Sequence, residues 1–414
     1  MHISMRAAIV AVALSSASAA VAQADTLSLQ EAIARAVAAS PQTAATAARA
    51  DVLMAARAQA DTKPSPSIAA NVENLSIGGR DLNNQIQLDA TYNQRIERGG
   101  KRAARIALVE GDIGVANAEA VVRRLEIAAN VQRLYVEVQA AEVAIANAQE
   151  RVDIAVALQR EVQRRVDAAR DPLFAGTRAR TQLAEARVDL DLATRARNAA
   201  LRRLTAQWGQ TLEGIAIPTD RFLRFDRPPI AASAAPAQAD VAIYEARRRR
   251  AAAAISLERS NAVQDPTVSA GPRFLGTGDI ALIAGVSLPL GNRRLASASI
   301  ARAEAEQRQI DAELAVERFQ RGQAIALAVT RVDEARDEAE AVRDRVIPGA
   351  RQTLTEVRAG YARGGFSFLD VSTAQNALAA ARTRLVQAAI RYHQAGVELD
   401  RLTGRFIPLV QEAH

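Results

Sequence analysis

Residue types that commonly carry catalysis are scarce in this chain. It has no cysteine and three histidines, and only His393 lies away from the two ends of the sequence. A thiolate metal site, a cysteine nucleophile and a centre of several histidines are therefore excluded. Glycine-rich phosphate loops and nucleophile elbows are also missing from the sequence. We predict a protein that is not an enzyme, with no catalytic residue, no bound metal and no cofactor.

A group of five acidic residues could in principle bind a cation. Its members are Asp333, Glu334, Asp337, Glu338 and Glu340. Arg331, Arg336 and Arg343 are interspersed, so opposite charges fall three or four residues apart on one helix. We interpret the group as a solvated, salt-bridged helix face.

The net charge of +7 arises from 53 basic and 46 acidic residues, and nearly all of the cations are arginine. A basic chain with runs such as Arg247–Arg250 can bind nucleic acid. Here the arginines alternate with Asp and Glu, and only 3% of the residues are aromatic, so few side chains could stack on bases. We predict no nucleic-acid partner and interpret residues 247–250 as part of a surface helix.

Two turn-forming segments interrupt long helical patterns, and an acidic residue follows one of them. The segments are Arg170–Gly176 and Gly360–Phe366. Gly364 and Gly365 in the second segment permit a tight reversal of the chain. Asp370 lies just beyond it, in the first turn of the next helix, where a carboxylate interacts favourably with the helix dipole.

The helices that flank these segments carry heptad patterns of aliphatic residues and alanine. In one seam, Val131, Val138 and Ile145 recur every seven residues, beside a companion row rich in alanine. This repeat predicts coiled-coil packing. The helix predicted over residues 100–170 would be about 105 Å long if unbroken, and the one over 292–360 nearly the same. Such helices are too long for a single globular core.

Four segments of the sequence alternate polar and apolar residues, as β-strands do. In the second of them, Gln87, Asp89 and Thr91 would lie on one face, and Leu88 and Tyr92 on the other. Strands of membrane barrels have this polar-inside, apolar-outside pattern, and a soluble half-buried sheet is the alternative. Four strands cannot close a barrel, and lipid tolerates no open sheet edge. Insertion into a membrane would therefore require several chains, and three chains would contribute twelve strands.

The chain repeats one order of elements: a helix, two strands, a very long helix, a turn and a helix. Residues 96–102 resemble residues 288–294 at the same place in this order, and the proline-rich residues 211–240 would link the two repeats. The fold class is therefore mainly α with a small membrane β part. The predicted ranges are 1–24 for a signal peptide, 25–210 for the first repeat, 211–240 for the linker, 241–405 for the second repeat and 406–414 for a C-terminal tail. In the first repeat we predict strands over about 67–78 and 84–97 and long helices over about 100–170 and 174–208. In the second repeat we predict strands over about 266–275 and 279–290 and long helices over about 292–360 and 366–403.

The first residues have the pattern of an export signal. Arg6 precedes an apolar run from Ala7 to Leu14, and Ala20-Val21-Ala22 is a candidate cleavage site. A transmembrane anchor is the competing interpretation, but the run is short for a membrane-spanning helix. We predict a cleaved signal peptide and export from the cytoplasm.

Over nearly its whole mature length, the chain resembles the TolC family of outer-membrane efflux proteins. The residues that carry the resemblance include Gly360–Val371, followed by Ala374 and Gln375. Glu97–Arg102 and Asp171–Phe174 look most like the CzcC-type branch, which serves heavy-metal cation efflux pumps. The resemblance implies a homotrimer in the Gram-negative outer membrane, made of a periplasmic α-barrel and a 12-stranded β-barrel in contact with lipid. Its implied partners are a periplasmic adaptor (membrane fusion) protein and an inner-membrane RND-type transporter.

The same resemblance implies where the functional residues lie. The two turns would form the periplasmic tip, with Asp370, Arg363 and Tyr361 at the entrance or gate. Residues implied to contact the adaptor are Asp171, Pro172, Leu173, Phe174, Gly176, Gly364, Gly365, Phe366 and Ser367. Three copies of Asp370 near an axis would form a negative constriction that attracts cations, and Arg363 could pair with them in a closed state. A second acidic ring is not expected, because Thr373 stands where many relatives have an aspartate.

We therefore predict a passive outer-membrane exit duct of a tripartite efflux system, carrying heavy-metal cations supplied by an RND pump. A drug efflux duct or a type I protein secretion duct of the same family is an alternative. A periplasmic coiled-coil adaptor or scaffold that never enters lipid is another. Adaptors usually add strand-rich lipoyl-like and barrel domains, which this sequence lacks.

Overall fold

The computed structural model describes residues 26–75, 86–209, 215–231 and 234–411. The predicted signal peptide lies outside these ranges, as do parts of the predicted linker and the ends of the first two predicted strands. No helix in the described ranges is both long and apolar enough to cross a bilayer.

Most of the described chain is helical, and its helices form two similar series around a small sheet. The first series is α1 (Leu29–Ala39), α2 (Pro41–Ala60), α3 (Lys101–Asp167) and α4 (Leu173–Thr205). The second is α5 (Gln238–Asn261), α6 (Arg293–Ala341), α7 (Ile347–Ala362), α8 (Phe368–Thr403) and α9 (Ile407–Gln411). The strands are β1 (Ser67–Glu73), β2 (Gln87–Arg95), β3 (Thr267–Leu275) and β4 (Ile280–Ser287). The predicted tail therefore contains a short helix, and α5 begins two residues before the predicted end of the linker.

Helix α3 is a single helix of 67 residues, about 100 Å long at 1.5 Å per residue. Gly99 and Gly100 have φ angles of +69° and +74°, which glycine adopts without strain, and they turn the chain from β2 into the helix. Val131, Val138 and Val162 of the predicted seams are buried. Contact of these rows with α4, α5 and α8 stabilises a helix that intrinsic propensity alone would not hold at this length.

The corresponding helix of the second repeat is interrupted. A continuous helix was predicted over residues 292–360, but residues Val342–Val346 form a π-helical segment between α6 and α7. Pro348 lies at the beginning of α7. Proline has no amide hydrogen, and its ring clashes with the carbonyl four residues earlier, so the widened π turn relieves the conflict while the helix axis continues.

The four strands form one antiparallel sheet in the order β1-β2-β3-β4, so the two repeats meet where β2 pairs with β3. Apolar side chains on one face are exposed in the isolated chain: Ile68, Val72, Leu88, Tyr92, Val268, Phe274, Ile280, Leu282 and Val286. On the opposite face, Asp89 is 4% exposed and accepts hydrogen bonds of 2.6 and 2.8 Å from Arg273. The sheet therefore buries the Asp89 carboxylate and leaves its apolar face uncovered.

The described part of the linker packs against α8. The Phe222 ring stacks on His393 at a centroid distance of 5.3 Å, and Phe225 meets Tyr392 edge-on at 5.2 Å. His393 Nε2 donates to the Phe222 carbonyl at 2.8 Å. Burial lowers the pKa of His393, with a smaller contribution from the charge of Arg227. His393 is therefore a packed, neutral side chain near neutral pH.

Candidate functional site at the two helix turns

The turn between α3 and α4 is closed by backbone hydrogen bonds. Ala169 has a φ angle of +53°, which reverses the chain at the end of α3. The amides of Arg170 and Asp171 both donate to the carbonyl of Arg165, at 2.8 and 3.3 Å. Pro172 then N-caps α4, where its missing amide hydrogen costs nothing. This turn holds the Asp171 carboxylate close to the Arg165 side chain.

The turn between α7 and α8 uses glycines and a serine cap. Gly364 has a φ angle of +84°, and the amide of Gly365 donates to the carbonyl of Gly360 at 2.9 Å. A Cβ atom on Gly360 would lie 2.1 Å from the ring of Phe366, so glycine is required for this ring to fold back. Ser367 N-caps α8. The predicted tight reversal is present and depends on both backbone freedom and side-chain space.

One cluster of three side chains connects the two turns. Arg165 Nε and Nη2 each donate to the Asp171 carboxylate at 3.1 Å, and the Tyr361 hydroxyl donates to the same carboxylate. Arg165 Nη1 also donates to the Tyr361 carbonyl at 2.8 Å, and its guanidinium lies 4.5 Å from the centre of the Tyr361 ring. We call Arg165, Asp171 and Tyr361 the turn cluster.

Burial and charge in the turn cluster act in opposite directions on Asp171. Burial raises the pKa of the Asp171 carboxyl. The hydrogen bonds from Arg165 and Tyr361 together lower it by more than burial raises it, so the pKa lies below its usual value. The pKa of the Tyr361 hydroxyl is raised, first by burial and then by its hydrogen bond to Asp171. At neutral pH the carboxylate is therefore ionised and Tyr361 remains a hydrogen-bond donor.

Asp370 lies outside the turn cluster and caps its own helix. Its carboxylate accepts hydrogen bonds of 2.9 and 2.7 Å from the amide and hydroxyl of Ser367, and the Ser367 hydroxyl accepts one from the Asp370 amide. The hydrogen bond from the Ser367 hydroxyl, followed by that from its amide, lowers the pKa of Asp370. This capping box corresponds to the helix N-terminal interpretation of Asp370. The side chain is also exposed, so its charge faces solvent.

The predicted pairing between Arg363 and Asp370 does not occur within the described chain. Arg363 is exposed, and no ion pair of its side chain is present among the described residues. Its amide donates to the Gly360 carbonyl at 3.2 Å, while Asp370 is engaged by Ser367. Pairing between different copies of the chain stays a prediction.

Apolar side chains project from both turns. Leu173 and Phe174 at the start of α4 are 82% and 67% exposed, and Phe366 and Leu369 of the second turn are also exposed. Gly176 differs from the other predicted contact residues because it is buried against α3, where a Cβ would meet Gln163 at 3.5 Å. Any partner at the turns would therefore touch Leu173 and Phe174 rather than Gly176.

Behind the turns, polar contacts connect the helices of the two repeats. Gln182 of α4 donates to Ser372 at 3.1 Å and to Gln375 at 3.3 Å on α8. Arg382 of α8, which is 9% exposed, donates to Glu150 of α3 at 2.6 Å. These contacts line a groove of about 410 Å³ between α3, α4 and α8. They hold the turn helices of the two repeats side by side.

The acidic group at residues 333–340 forms ion pairs with neighbouring arginines. Glu338 pairs with Arg384 at 3.1 Å and with Arg391, both on α8, and Asp333 pairs with Arg336. The described residues contain no group of His, Cys, Asp or Glu arranged to hold a metal ion. The arginines at 247–250 also make pairs: three of them contact acidic residues of α3 or α6. The run lies in α5 with Arg248, Arg249 and Arg250 exposed, as predicted for a surface helix, and its charges are largely paired.

Arg165 is the functional candidate that sequence reasoning missed. Arg160 and Arg164 in the last turns of α3 and Arg170 in the following turn are close in sequence, and nothing in their spacing distinguishes the arginine that contacts Asp171. Only the left-handed turn at Ala169 folds Asp171 back onto Arg165.

The sequence of the chain is similar to those of known proteins. Residues 226–405 match the family model described as outer membrane efflux protein. The cobalt-zinc-cadmium resistance protein CzcC of Cupriavidus metallidurans is 28% identical over 353 residues, which cover 84% of this chain and 82% of CzcC.

Two solved structures have a similar fold. The outer membrane protein VceC from Vibrio cholerae superposes with a TM-score of 0.68 at 19% identity, covering 91% of this chain and 96% of VceC. CusC, whose structures concern folding and transmembrane channel formation, superposes with a TM-score of 0.71 at 16% identity, covering 90% of this chain and 91% of CusC. The predicted fold class, mainly helical with a small antiparallel sheet, is confirmed.

Proposed function

We propose that the chain belongs to the family of outer membrane efflux proteins, whose model matches residues 226–405, and that it is the passive exit duct of a tripartite efflux system. The predicted resemblance agrees with these matches, and the description of the matched family supports the predicted location in the outer membrane. The observation that carries the proposal is the four-stranded sheet, because its apolar face is exposed while the Asp89–Arg273 ion pair lies on the other side. In a bilayer this face would contact lipid.

We propose that three copies assemble through their sheets. In the described chain, β1 and β4 each pair with one strand only, so both edges of the sheet are open. Lipid does not tolerate open edges, and pairing β1 of one copy with β4 of the next would close twelve strands. Exposed apolar residues on the helices, such as Val316 and Phe319 of α6, would then be covered by neighbouring copies.

Engineered cysteines test this assembly directly, because the natural chain has none. Asn71→Cys in β1 and Ile283→Cys in β4 have two strands between them within one chain, so they are at least three strand spacings or about 14 Å apart, which is too far for a disulfide. Oxidation of the double variant should give covalent trimers on denaturing gels. Each single variant is a control and should give none. The cysteine in β4 can also be moved to neighbouring positions of that strand. If every such double variant gives only monomers, the assembly is contradicted.

We propose that the turns form the entrance of the duct and its contact with the adaptor. Arg165, Asp171 and Tyr361 would restrain the entrance, and Asp370 and Arg363 would supply charge around it. The exposed Leu173, Phe174 and Phe366 would offer apolar surface to a periplasmic adaptor, as would the turn residues Pro172, Gly364, Gly365 and Ser367. The support is their common position at the end of both helix pairs, opposite the sheet.

Heavy-metal cations are the proposed cargo, delivered by an RND-type pump. The similarity to a cobalt-zinc-cadmium resistance protein over most of both chains supports this choice. Deleting the gene should lower tolerance to cobalt, zinc and cadmium, and wild-type protein should restore it. Sensitivity to drugs alone, or a block in protein export alone, would instead favour a drug duct or a type I secretion duct.

A membrane wash tests the remaining alternative. A duct stays with the outer membrane after carbonate treatment, whereas a periplasmic coiled-coil adaptor or scaffold is released. Retention of the wild-type protein in washed outer membranes is the expected result.

A further inference from the structure

A groove opens at the helical end of the sheet, where the strands give way to helices. It has a volume of about 1070 Å³. Its walls are the segment between α2 and β1, the end of β2 and the first turns of α3. The charged residues that line it are Asp61, Lys63, Arg95, Glu97, Lys101 and Arg102. Both lysines of the chain are in this group, although nearly every other cation is arginine.

Most of these charges are already paired. Arg102 contacts Asp61 at 2.7 Å, and Lys101 contacts Asp265 at 2.7 Å. Glu97 pairs with Arg105. Lys63, in contrast, is exposed and has no ion-pair or hydrogen-bond partner within the described ranges. The groove therefore holds a cation that is free to bind an anion.

The groove also has an apolar part that continues the exposed face of the sheet. Ile96, Ile106 and two prolines line it. Tyr92, the last large residue of the apolar face on β2, points its hydroxyl at Gln94, 3.3 Å away. Gln94 in turn donates to the Pro64 carbonyl at 3.2 Å. Tyrosine is typical of the boundary between hydrocarbon and headgroups, so with the sheet in a membrane the groove would lie at headgroup depth.

We propose that this groove binds the phosphate headgroup of a phospholipid in the leaflet that faces the helices, with Lys63 contacting the phosphate. The inference rests on the proposed function, because it requires the sheet to lie in a membrane. An ammonium group near a lipid surface attracts phosphate, and the apolar walls would pack against the first carbons of the acyl chains. Pro64 and Pro66 restrict the backbone on either side of Ser65, which limits the positions that Lys63 can adopt.

Lysine acylation gives a direct test, because the chain has only two lysines and the label on each can be measured in its own peptide, apart from any label on the α-amine. In intact protein purified in detergent, Lys63 should be labelled readily, whereas Lys101 is 11% exposed and paired. Added phosphatidylglycerol should reduce labelling of Lys63 severalfold. Diacylglycerol, which lacks the phosphate, and inorganic phosphate, which lacks the chains, should each leave it unchanged. Equal labelling of Lys63 with and without phosphatidylglycerol would overturn the proposal. A Lys63 that does not react even before lipid is added, because a neighbouring copy covers it, would overturn it as well.

A second measurement compares charge variants. Lys63→Gln should weaken binding of phosphatidylglycerol about fivefold, corresponding to the loss of one cation near the lipid surface. Lys63→Arg should retain most of the binding. Arg160→Gln on α3 is the matched control, since this exposed arginine lies far along the helix from the sheet, and it should bind like the wild type. Binding by Lys63→Gln equal to that of the control would refute the headgroup site.

The two proposals fail in different ways. If the chain were not a membrane duct, the wild-type protein itself would be released from washed membranes. If only the headgroup site is wrong, the wild type stays in the membrane and Lys63→Gln binds lipid as well as the wild type does.

Discussion

The two turns occupy equivalent places in the two repeats but are built from different parts. The first turn has one left-handed residue, Ala169, and contributes a buried charged pair, Arg165 and Asp171. The second turn has three glycines near it, a serine cap and a buried tyrosine, Tyr361. Each turn therefore supplies what the other lacks. Two identical turns could not form the turn cluster, so divergence of the repeats is required for this contact.

The helices that lead into the two turns also differ between the repeats. α3 reaches its turn without interruption, whereas the second repeat has the π-helical segment Val342–Val346 sixteen residues before the end of α7. A break in the hydrogen-bond ladder and nearby glycines make the second helix pair the easier one to displace. We therefore expect that loosening the turn cluster moves α7 and α8 rather than α3 and α4.

Arg165→Ala should have the largest effect on this arrangement. It leaves the Asp171 carboxylate largely buried and without its cation, which should lower the free energy of unfolding by about 3 kcal/mol. In planar bilayers the variant should conduct more than the wild type, because one restraint between the turns is lost. Arg164→Ala is the matched control, since Arg164 is exposed and next to Arg165. Equal conductance in the two variants would mean that the cluster does not restrain the entrance.

The coarse features of both repeats were predictable because they depend on repeated local patterns. Heptads specified the long helices, and alternation specified β2 to within three residues and β3 to within one, since many residues contribute to each pattern. Single contacts were not predictable. The partner of Asp171 depends on the φ angle of Ala169, and the π segment depends on how one proline is accommodated. The capping box of Ser367 and Asp370 is visible in the sequence as a serine three residues before an aspartate, but this spacing alone did not decide between a cap and a pore charge.

Gly360→Ala should disturb the second turn alone. The added Cβ would overlap the Phe366 ring at 2.1 Å, so the ring must move or the turn must open, at a cost of about 1–3 kcal/mol. Gly349→Ala is the control in the same helix, because its Cβ would meet no atom within 4 Å of the described chain. There alanine should be neutral or stabilise by up to about 1 kcal/mol through helix propensity. Denaturant unfolding of both variants measures the difference, and equal stability would argue against the close contact of Phe366 with Gly360.

Acid should weaken the contact between the turns. The pKa of Asp171 is lower in the folded protein than its ordinary value, so the ionised carboxylate stabilises the fold above about pH 4. This stabilisation is lost as the pH falls through the folded pKa, where protonation breaks the pair with Arg165. Conductance of the wild type should therefore rise in acid. Asp171→Asn removes the titrating group and should flatten this rise, while a rise of the same size in Asp171→Asn would assign it to other carboxylates, such as Glu97 or Asp265.

Asp370→Asn should have the smallest effect, and it separates the two interpretations of this residue. Asparagine keeps one side-chain oxygen that can accept from the Ser367 amide, so the start of α8 should remain capped and stability should change little. The charge is nevertheless removed from an exposed position at the turn. If three copies face a common axis, cation permeability relative to anions should fall, and Ser367→Ala, which loses the hydroxyl of the cap but keeps the carboxylate, should retain the wild-type ratio. A ratio unchanged in Asp370→Asn would leave Asp370 with the capping role alone, and the charge at the entrance would then have to come from residues outside the second turn.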